Sequence, residues 1–441
     1  MSEHPPQTLL KELCNQRGLD IPKMVELFER TADEVIGKGA KNPTCSERTA
    51  KRWRAGGVNP ASLSPDTRRV LEAMFSHRVT HLFAPPPQPD PHAPAFDLEH
   101  EIDMTARDAQ EDASAMAAAS VSDTSLDQLT DDVMTLAREY ASIAPAQAFH
   151  RGRVLQTQLQ DLRDRTQVPA QQQRLLVLLG QATALLAASA FDLGAFDSAR
   201  RLARSADLYG ETSRFDPLRA YCDGILAYIA YFTGMPADAV AKARRAQTYG
   251  GLGDVARRRL LAIEARAHGY LGDVQSAHQA IRMSEEVESG ARDELHDGIG
   301  GEFGFTVERL AMSSSSTALL VHDPAQAERS ARKALDLIQQ RPADRRSTHV
   351  LGGAAADLAM ARLFVNDVEG AAEALLPLWD IPADQRVTGV LARTGQIQHF
   401  LTQPSFRGAV LPGELRGRVE EFTRTATAHQ LTGPALLQLE A

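Results

Sequence analysis

The chain has 441 residues, 43% of them hydrophobic, and a formal charge of −9, enough length for about two to four domains and enough apolar material for real cores. The acidic total excludes a surface coated for nucleic acid, and three scattered cysteines, Cys14, Cys45 and Cys222, exclude a disulfide framework or a cysteine-built zinc site and suit a reducing compartment. The total hides an asymmetry: residues 1–83 carry 13 Lys and Arg against 10 Asp and Glu, a net of +3, and residues 84–441 carry 35 against 47, a net of −12.

Met1 to Pro6 lack the positive and apolar regions of a signal peptide. No apolar run approaches the length of a membrane span, since Leu175 to Leu179 is flanked by Arg174 and Gly180, and a cytoplasmic location is expected. From Thr8 to Arg17, Leu9, Leu10, Leu13 and Cys14 recur at helical spacing until Gly18 stops the pattern. A second helix follows Asp20, with Pro22 in its first turn and Ile21, Met24, Val25 and Phe28 as its apolar face, reaching as far as Ile36. Residues 37–43 form a loop bearing Lys38 and Lys41.

A short third helix comes next. Thr44, with Glu47 three residues on, makes a capping box, and Ser46 is an equally good cap one register later. Gly56 and Gly57 close the far end. Ala50 and Trp53 point inward together, which leaves Glu47, Arg48, Lys51, Arg52 and Arg54 outside. A small inner face with a cationic outer face is the shape that enters a DNA major groove; the plainer alternative is a solvated charged face. A fourth helix runs from about Ser64 to Phe75 with Val70, Leu71, Met74 and Phe75 inward, and Leu82-Phe83 close the unit.

Arg48-Thr49, Arg52-Trp53 and Gly56, followed by Arg69-Val70-Leu71-Glu72, Met74-Phe75 and Leu82-Phe83, resemble the amino-terminal domain of a group of actinobacterial regulators. Those join a phage-repressor-type (XRE-like) helix-turn-helix head to a tetratricopeptide-like helical body. The resemblance covers roughly residues 8–86, and the loop between the second and third helices is longer than in compact phage repressors. It places the base-reading positions on Glu47, Arg48, Lys51 and Arg52, where Arg forks a guanine edge and Glu accepts from cytosine. Arg54, Lys38, Lys41, Arg68 and Arg69 are assigned to phosphates, and Ser46 both caps the helix and faces one.

From Ala84 to about Ser125 the chain turns Pro-rich, then acidic and Ala/Ser-rich with few large apolar residues, and reads as a disordered linker. Beyond it everything reads as helix. Five segments share one pattern, a turn residue followed five positions later by alanine: Gly194 with Ala199, Gly234 with Ala239, Gly272 with Ala277, His322 with Ala327 and Asn366 with Ala371. Small residues at a turn let two helices of a hairpin approach closely. The pattern resembles the tetratricopeptide repeat, at a period longer than its ~34 residues. Capped by residues 125–164 and 383–439, the hairpins predict a right-handed solenoid of about fourteen helices with a concave wall.

The longest gap, between turns 272 and 322, holds the one glycine-rich, aromatic insertion of the body, Asp297 to Phe305 with Ser289-Gly290 before it. It fails as a phosphate loop, lacking the Gly-Lys ending and a preceding strand, and reads either as a connector or as a loop folding over a ligand. His296 reads as an isolated surface histidine. Cys45 lies near a helix amino end, which lowers a thiol pKa, but it has no resolving partner. No metal-ligand spacing and no nucleophile elbow occur, so no cofactor, no metal and no enzymatic activity are expected.

The fold expected is therefore all-α: a five-helix head over 1–83, a linker over 84–125 and a helical repeat body over 126–441. The function expected is a transcriptional regulator that binds double-stranded operator DNA as a homodimer and senses a peptide or small-molecule effector in its body, away from any membrane. The rival is a protein-interaction scaffold whose head does not read DNA.

Overall fold

The computed structural model describes residues 8–37, 42–86, 98–118 and 120–428, and every regular element among them is helical. The chain divides into two compact units, Met1–Arg107 and Asp108–Ala441.

In the first unit five helices follow one another: α1 (Leu9–Gln16), α2 (Ile21–Val35), α3 (Glu47–Arg54), α4 (Pro65–Phe75) and α5 (Val79–Leu82). The first four begin on side-chain caps, in which Thr8, Asp20, Ser46 and Ser64 each accept from the amide three residues ahead, each worth roughly 1 kcal/mol. Ser46, rather than Thr44, caps α3. Leu10, Met24, Phe28, Ala50, Trp53, Leu71, Phe75 and Leu82 form one core, in which α2 packs on α3 and α4 and α1 on α3 and α5. The Leu9 amide donates to the Ala84 carbonyl at 2.9 Å and ties the ends of the unit together.

The stretch read as a disordered linker is corrected in part. Over Leu98–Ala118 it forms helix α6, whose described side chains from residue 102 to 113 are exposed. Its Ala, Glu, Gln and Met residues are good helix formers; what it lacks is an apolar face, and it was that lack that suggested disorder. Residues 87–97 lie outside the described residues.

The second unit continues with α7 (Asp123–Glu139), α8 (Pro145–Arg165), α9 (Pro169–Asp192), α10 (Phe196–Thr212), α11 (Asp216–Phe232), α12 (Pro236–Gln247), α13 (Asp254–Tyr270), α14 (Val274–Glu285), α15 (Val307–Leu320), α16 (Pro324–Gln339), α17 (Thr348–Phe364), α18 (Val368–Ala374), α19 (Leu376–Trp379), α20 (Thr388–Phe400) and α21 (Val410–Arg424). Helices α9, α11, α13, α15 and α17 stack on one another, and each packs on the helix that follows it, an arrangement compatible with an α-solenoid.

The five repeated segments are the turns of these hairpins. Gly194, Gly234, Gly272, His322 and Asn366 all take positive φ, between 59° and 79°, and the alanine five residues later is fully buried in each case. His322 and Asn366 adopt this conformation despite a Cβ, which shows that the hairpin geometry overrides local preference.

Helix α9 corrects the reading of its apolar run. By length and composition it is the one helix among the described residues apolar enough to cross a membrane, yet 83% of that window is buried inside the body, covered by α7, α8, α10, α11 and α20.

The body also closes on itself, a contact between its two ends that the repeat pattern did not show. Helix α20 packs on α9, and the 3-10 turn at Tyr140–Ser142 meets the one at Ala343–Arg345. The Thr388 hydroxyl donates to the Asp192 carbonyl at 3.0 Å.

Candidate functional site

Two places bring chemistry together, one in each unit. In the head, α3 is held by its inner face. Ala50 is fully buried and Trp53 is 4% exposed, its ring 5.4 Å from that of Phe28 on α2. The Ser46 hydroxyl accepts from the Thr49 amide at 3.2 Å. Outside, Ser46, Glu47, Arg48, Lys51 and Arg52 are exposed, and among the described residues none of the three cations pairs with a carboxylate. Arg52 leans along its own helix end, its Nε donating to the Gly57 carbonyl at 3.1 Å.

The phosphate candidates divide. Arg69 is exposed. Arg54 is corrected: its guanidinium turns inward, donating to the Leu19 carbonyl at 3.0 Å and to Asn15 Oδ1 at 2.8 Å, so it braces α3 against the α1–α2 turn. Arg68 is half-buried and donates to the Ala61 carbonyl at 2.7 Å. Both find backbone carbonyls in the connections that precede α2 and α4. Lys38 and Lys41 lie outside the described residues, although Asn42 fastens the base of their loop by donating to Asp33 and to the Gly37 carbonyl. Cys45 is corrected too: burial, reinforced by Glu29, pushes its thiol up to about 11, so the helix end does not make it a thiolate.

In the body, the closed ring of helices surrounds a cavity of about 240 Å³, just below the ~300 Å³ at which drug-sized ligand pockets begin. Sequence reading did not find it. Seven arginines line it against three carboxylates, Asp192, Glu302 and Glu308, within a body that is acidic overall. Three of the arginines are spoken for. Arg309 pairs with Glu302 at 3.2 Å, Arg341 with Glu308 at 3.2 Å, and Arg393 with Asp357 at 2.9 Å. Arg138 and Arg345 are exposed.

The remaining two, Arg259 buried and Arg266 half-buried, pair with no carboxylate among the described residues. Arg259, 2% exposed, lies 4.4 Å from the Tyr221 ring centre and 5.6 Å from that of Tyr228, against Gly224, where a Cβ would collide with its guanidinium. Arg266 lies 5.4 Å from the ring centre of Tyr231 and 6.0 Å from that of Phe232.

The glycine-rich insertion builds one wall, so neither a bare connector nor a loose flap describes it. Leu295 and Phe303 are fully buried, and Phe303 meets Tyr221 edge-on at 4.9 Å. The Glu302 amide donates to the Ala137 carbonyl at 2.8 Å, and the Tyr221 hydroxyl donates to Glu302 Oε1 at 3.0 Å. Gly301, at φ +59°, sits where a Cβ would strike Ala137. His296, expected at the surface, is 3% exposed; its Nδ1 lies 3.1 Å from Asp293, whose carboxylate also accepts the amides of Gly253 and Leu295. An aspartate that collects this many donors holds its own chain folded, and the histidine goes inward with it.

Titration inside the cavity is displaced. Burial and the neighbouring Glu302 carry Asp192 up to about 7, with the Tyr140 hydroxyl donating to it at 2.8 Å. Burial, with Arg309, Arg393 and Arg266 close by, drives His349 well below its usual value, so it faces the cavity neutral. No group of three or more His, Cys, Asp and Glu that could hold a metal ion occurs among the described residues.

The signal that could have revealed the cavity was charge inside apolar helices. Arg266 and Arg393 interrupt runs of Leu, Ile, Val and Ala in α13 and α20, and a cation there needs a reason.

What the geometry defines is an all-α chain with a small cap-stabilised helical unit and a solenoid-compatible body around a cationic cavity. Compared with protein-family models, with curated proteins and with solved structures, the chain matches none.

Proposed function

We propose that the protein is a sequence-specific DNA-binding transcriptional regulator: the head reads an operator through α3, and the body responds to an effector. The observation that carries this reading is the outer side of α3. Arg48, Lys51 and Arg52 are exposed without carboxylate partners among the described residues, on a helix whose tilt is fixed by the packing of Trp53 on Phe28. Exposed cations on a rigid short helix fit a major groove, and each good bidentate contact discriminates by about 1–3 kcal/mol. A head of this size buries too little for tight specific binding alone, so two heads in a dimer would read half-sites about one helical turn or a multiple apart. The cavity, at about 240 Å³, favours a small molecule over a peptide as the effector.

The test is selection of binding sites from fragmented genomic DNA with the full chain, followed by fluorescence anisotropy on an enriched and a scrambled duplex at a fixed salt concentration. Arg48→Ala with Arg52→Ala is expected to bring the enriched duplex down to the affinity of the scrambled one. Equal affinity of the wild type for both duplexes would leave the scaffold as the better reading.

A further inference from the structure

The cavity holds an imbalance that the chain itself does not resolve. Arg259, 2% exposed, and Arg266, half-buried, bring two guanidiniums to the cavity with no carboxylate in ion-pair contact with either among the described residues, and a charge partly withdrawn from water without such a partner is costly. Aromatic faces offset part of this, Tyr221 and Tyr228 for Arg259, Tyr231 and Phe232 for Arg266. Arg259 also donates to the Tyr221 carbonyl at 3.4 Å. The Arg266 guanidinium makes no hydrogen bond among the described residues, and its Nε is buried without a partner. The hydroxyl of Tyr231, a residue only 1% exposed, is likewise buried without a partner. Both residues line the cavity. Buried donors normally find an acceptor, and here two of them, one cationic, belong to side chains 5.4 Å apart at ring and guanidinium.

The rest of the wall says what the acceptor is attached to. Phe191 packs edge-on with Phe232 at 5.2 Å and lies 6.0 Å from Tyr228, and Ile225 and Ala188 continue this apolar side. The other interior arginines, Arg309 and Arg393, are neutralised by Glu302 and Asp357, so the net charge to be met is small. One fork and one hydroxyl match the two oxygens of a carboxylate; of the four lining arginines without a carboxylate partner among the described residues, Arg138 and Arg345 are exposed and stay hydrated, and Arg266 with the ring-covered Arg259 are fewer cations than a phosphate dianion calls for.

We propose that the cavity binds a small organic acid, its carboxylate on Arg266 and the Tyr231 hydroxyl and its apolar or aromatic part against Phe191, Tyr228 and Phe232. As an effector, this acid presupposes the regulator reading above; its binding to the body does not, and is measured without DNA.

Ligand-observed NMR on the full chain, with benzoate, phenylacetate and cinnamate at millimolar concentration, tests the proposal, with the matching primary amides and inorganic phosphate as controls. At least one acid is expected to bind while its amide does not, and phosphate is not expected to displace it. Arg266→Gln should weaken that acid at least tenfold, Arg266→Lys should do so without removing the charge, and Tyr231→Phe should weaken it severalfold, with circular dichroism confirming that each variant is folded. Should Arg266→Gln fail to fold, the lysine and phenylalanine variants carry the comparison. Binding of none of the three acids, equal binding of acid and amide, or displacement by phosphate would each overturn it.

Discussion

Replacing Asp357 by leucine removes the anion from an enclosed arginine ion pair of the body and gives a sharp test of how its closure is held. Asp357 accepts from Arg393 Nε at 2.9 Å and from the hydroxyls of Ser315 and Ser316 at 2.7 and 2.6 Å, while Arg393 also donates to Ser316 and to the Gly389 carbonyl. The pair therefore ties α15, α17 and α20 together, and its side chains are only 3% and 5% exposed. Without Asp357 the Arg393 guanidinium stays buried near Arg266 and Arg309, which share the surroundings of His349. Stranding one buried charge in this way costs about 3–5 kcal/mol, a large part of the ~5–15 kcal/mol that holds a typical native fold. Removing both charges, as Asp357→Leu with Arg393→Met, strands nothing: Ser315 and Ser316 still donate to the Met312 carbonyl. The double variant is therefore expected within about 1 kcal/mol of the wild type, so that most of the loss caused by Asp357→Leu alone is recovered when Arg393 is removed as well. Urea unfolding followed by far-ultraviolet circular dichroism measures all four corners of the cycle. A single-variant loss below ~1 kcal/mol, or a double variant as weak as the sum of the singles, would refute the account of Arg393 as a charge needing its partner.

Asp192, carried up to about 7 beside Glu302, Arg309 and Tyr140, binds its proton more tightly folded than unfolded. The body should accordingly lose stability as pH rises from about 4 through about 7, and Asp192→Asn should flatten that slope in thermal melts. His349, held well below its usual value, acts in the other direction: stability should fall as pH drops below the ordinary histidine range, an acid limb that His349→Asn removes. Trp53→Ala should cost the head about 3–5 kcal/mol, abolishing DNA retention while the helical signal of the body persists in circular dichroism. Gly301→Ala, at positive φ and against the Ala137 carbonyl, should detach the insertion from α7 and cost more than the ~1–2 kcal/mol of the backbone conformation alone, seen as faster amide exchange at Glu302.

Local features are legible in the residues alone. Helix starts follow from Thr8, Asp20, Ser46 and Ser64, because a hydroxyl or carboxylate reaches only its own first turn. The hairpin turns follow from glycine or a tolerant substitute five residues before a buried alanine, since backbone conformation and close helix approach are settled within those few residues. The inward face of α3 follows from Ala50 and Trp53 at helical spacing. Which charges meet depends instead on how the helices pack. Arg54 carries no local sign that it turns inward, because its partners Leu19 and Asn15 come from the α1–α2 region; His296 has its partner Asp293 three residues before it, but its burial depends on how the insertion packs. Arg266 on α13, Tyr231 on α11, Arg393 on α20 and Glu302 on the insertion come from four separate parts of the chain. Tyr231 and Arg266 meet because α11 stacks on α13, and Arg393 joins them because α20 packs on α17 and α9. Closure of that kind is fixed by the small rotation accumulated from one hairpin to the next, a quantity spread over the whole body and written at no single residue.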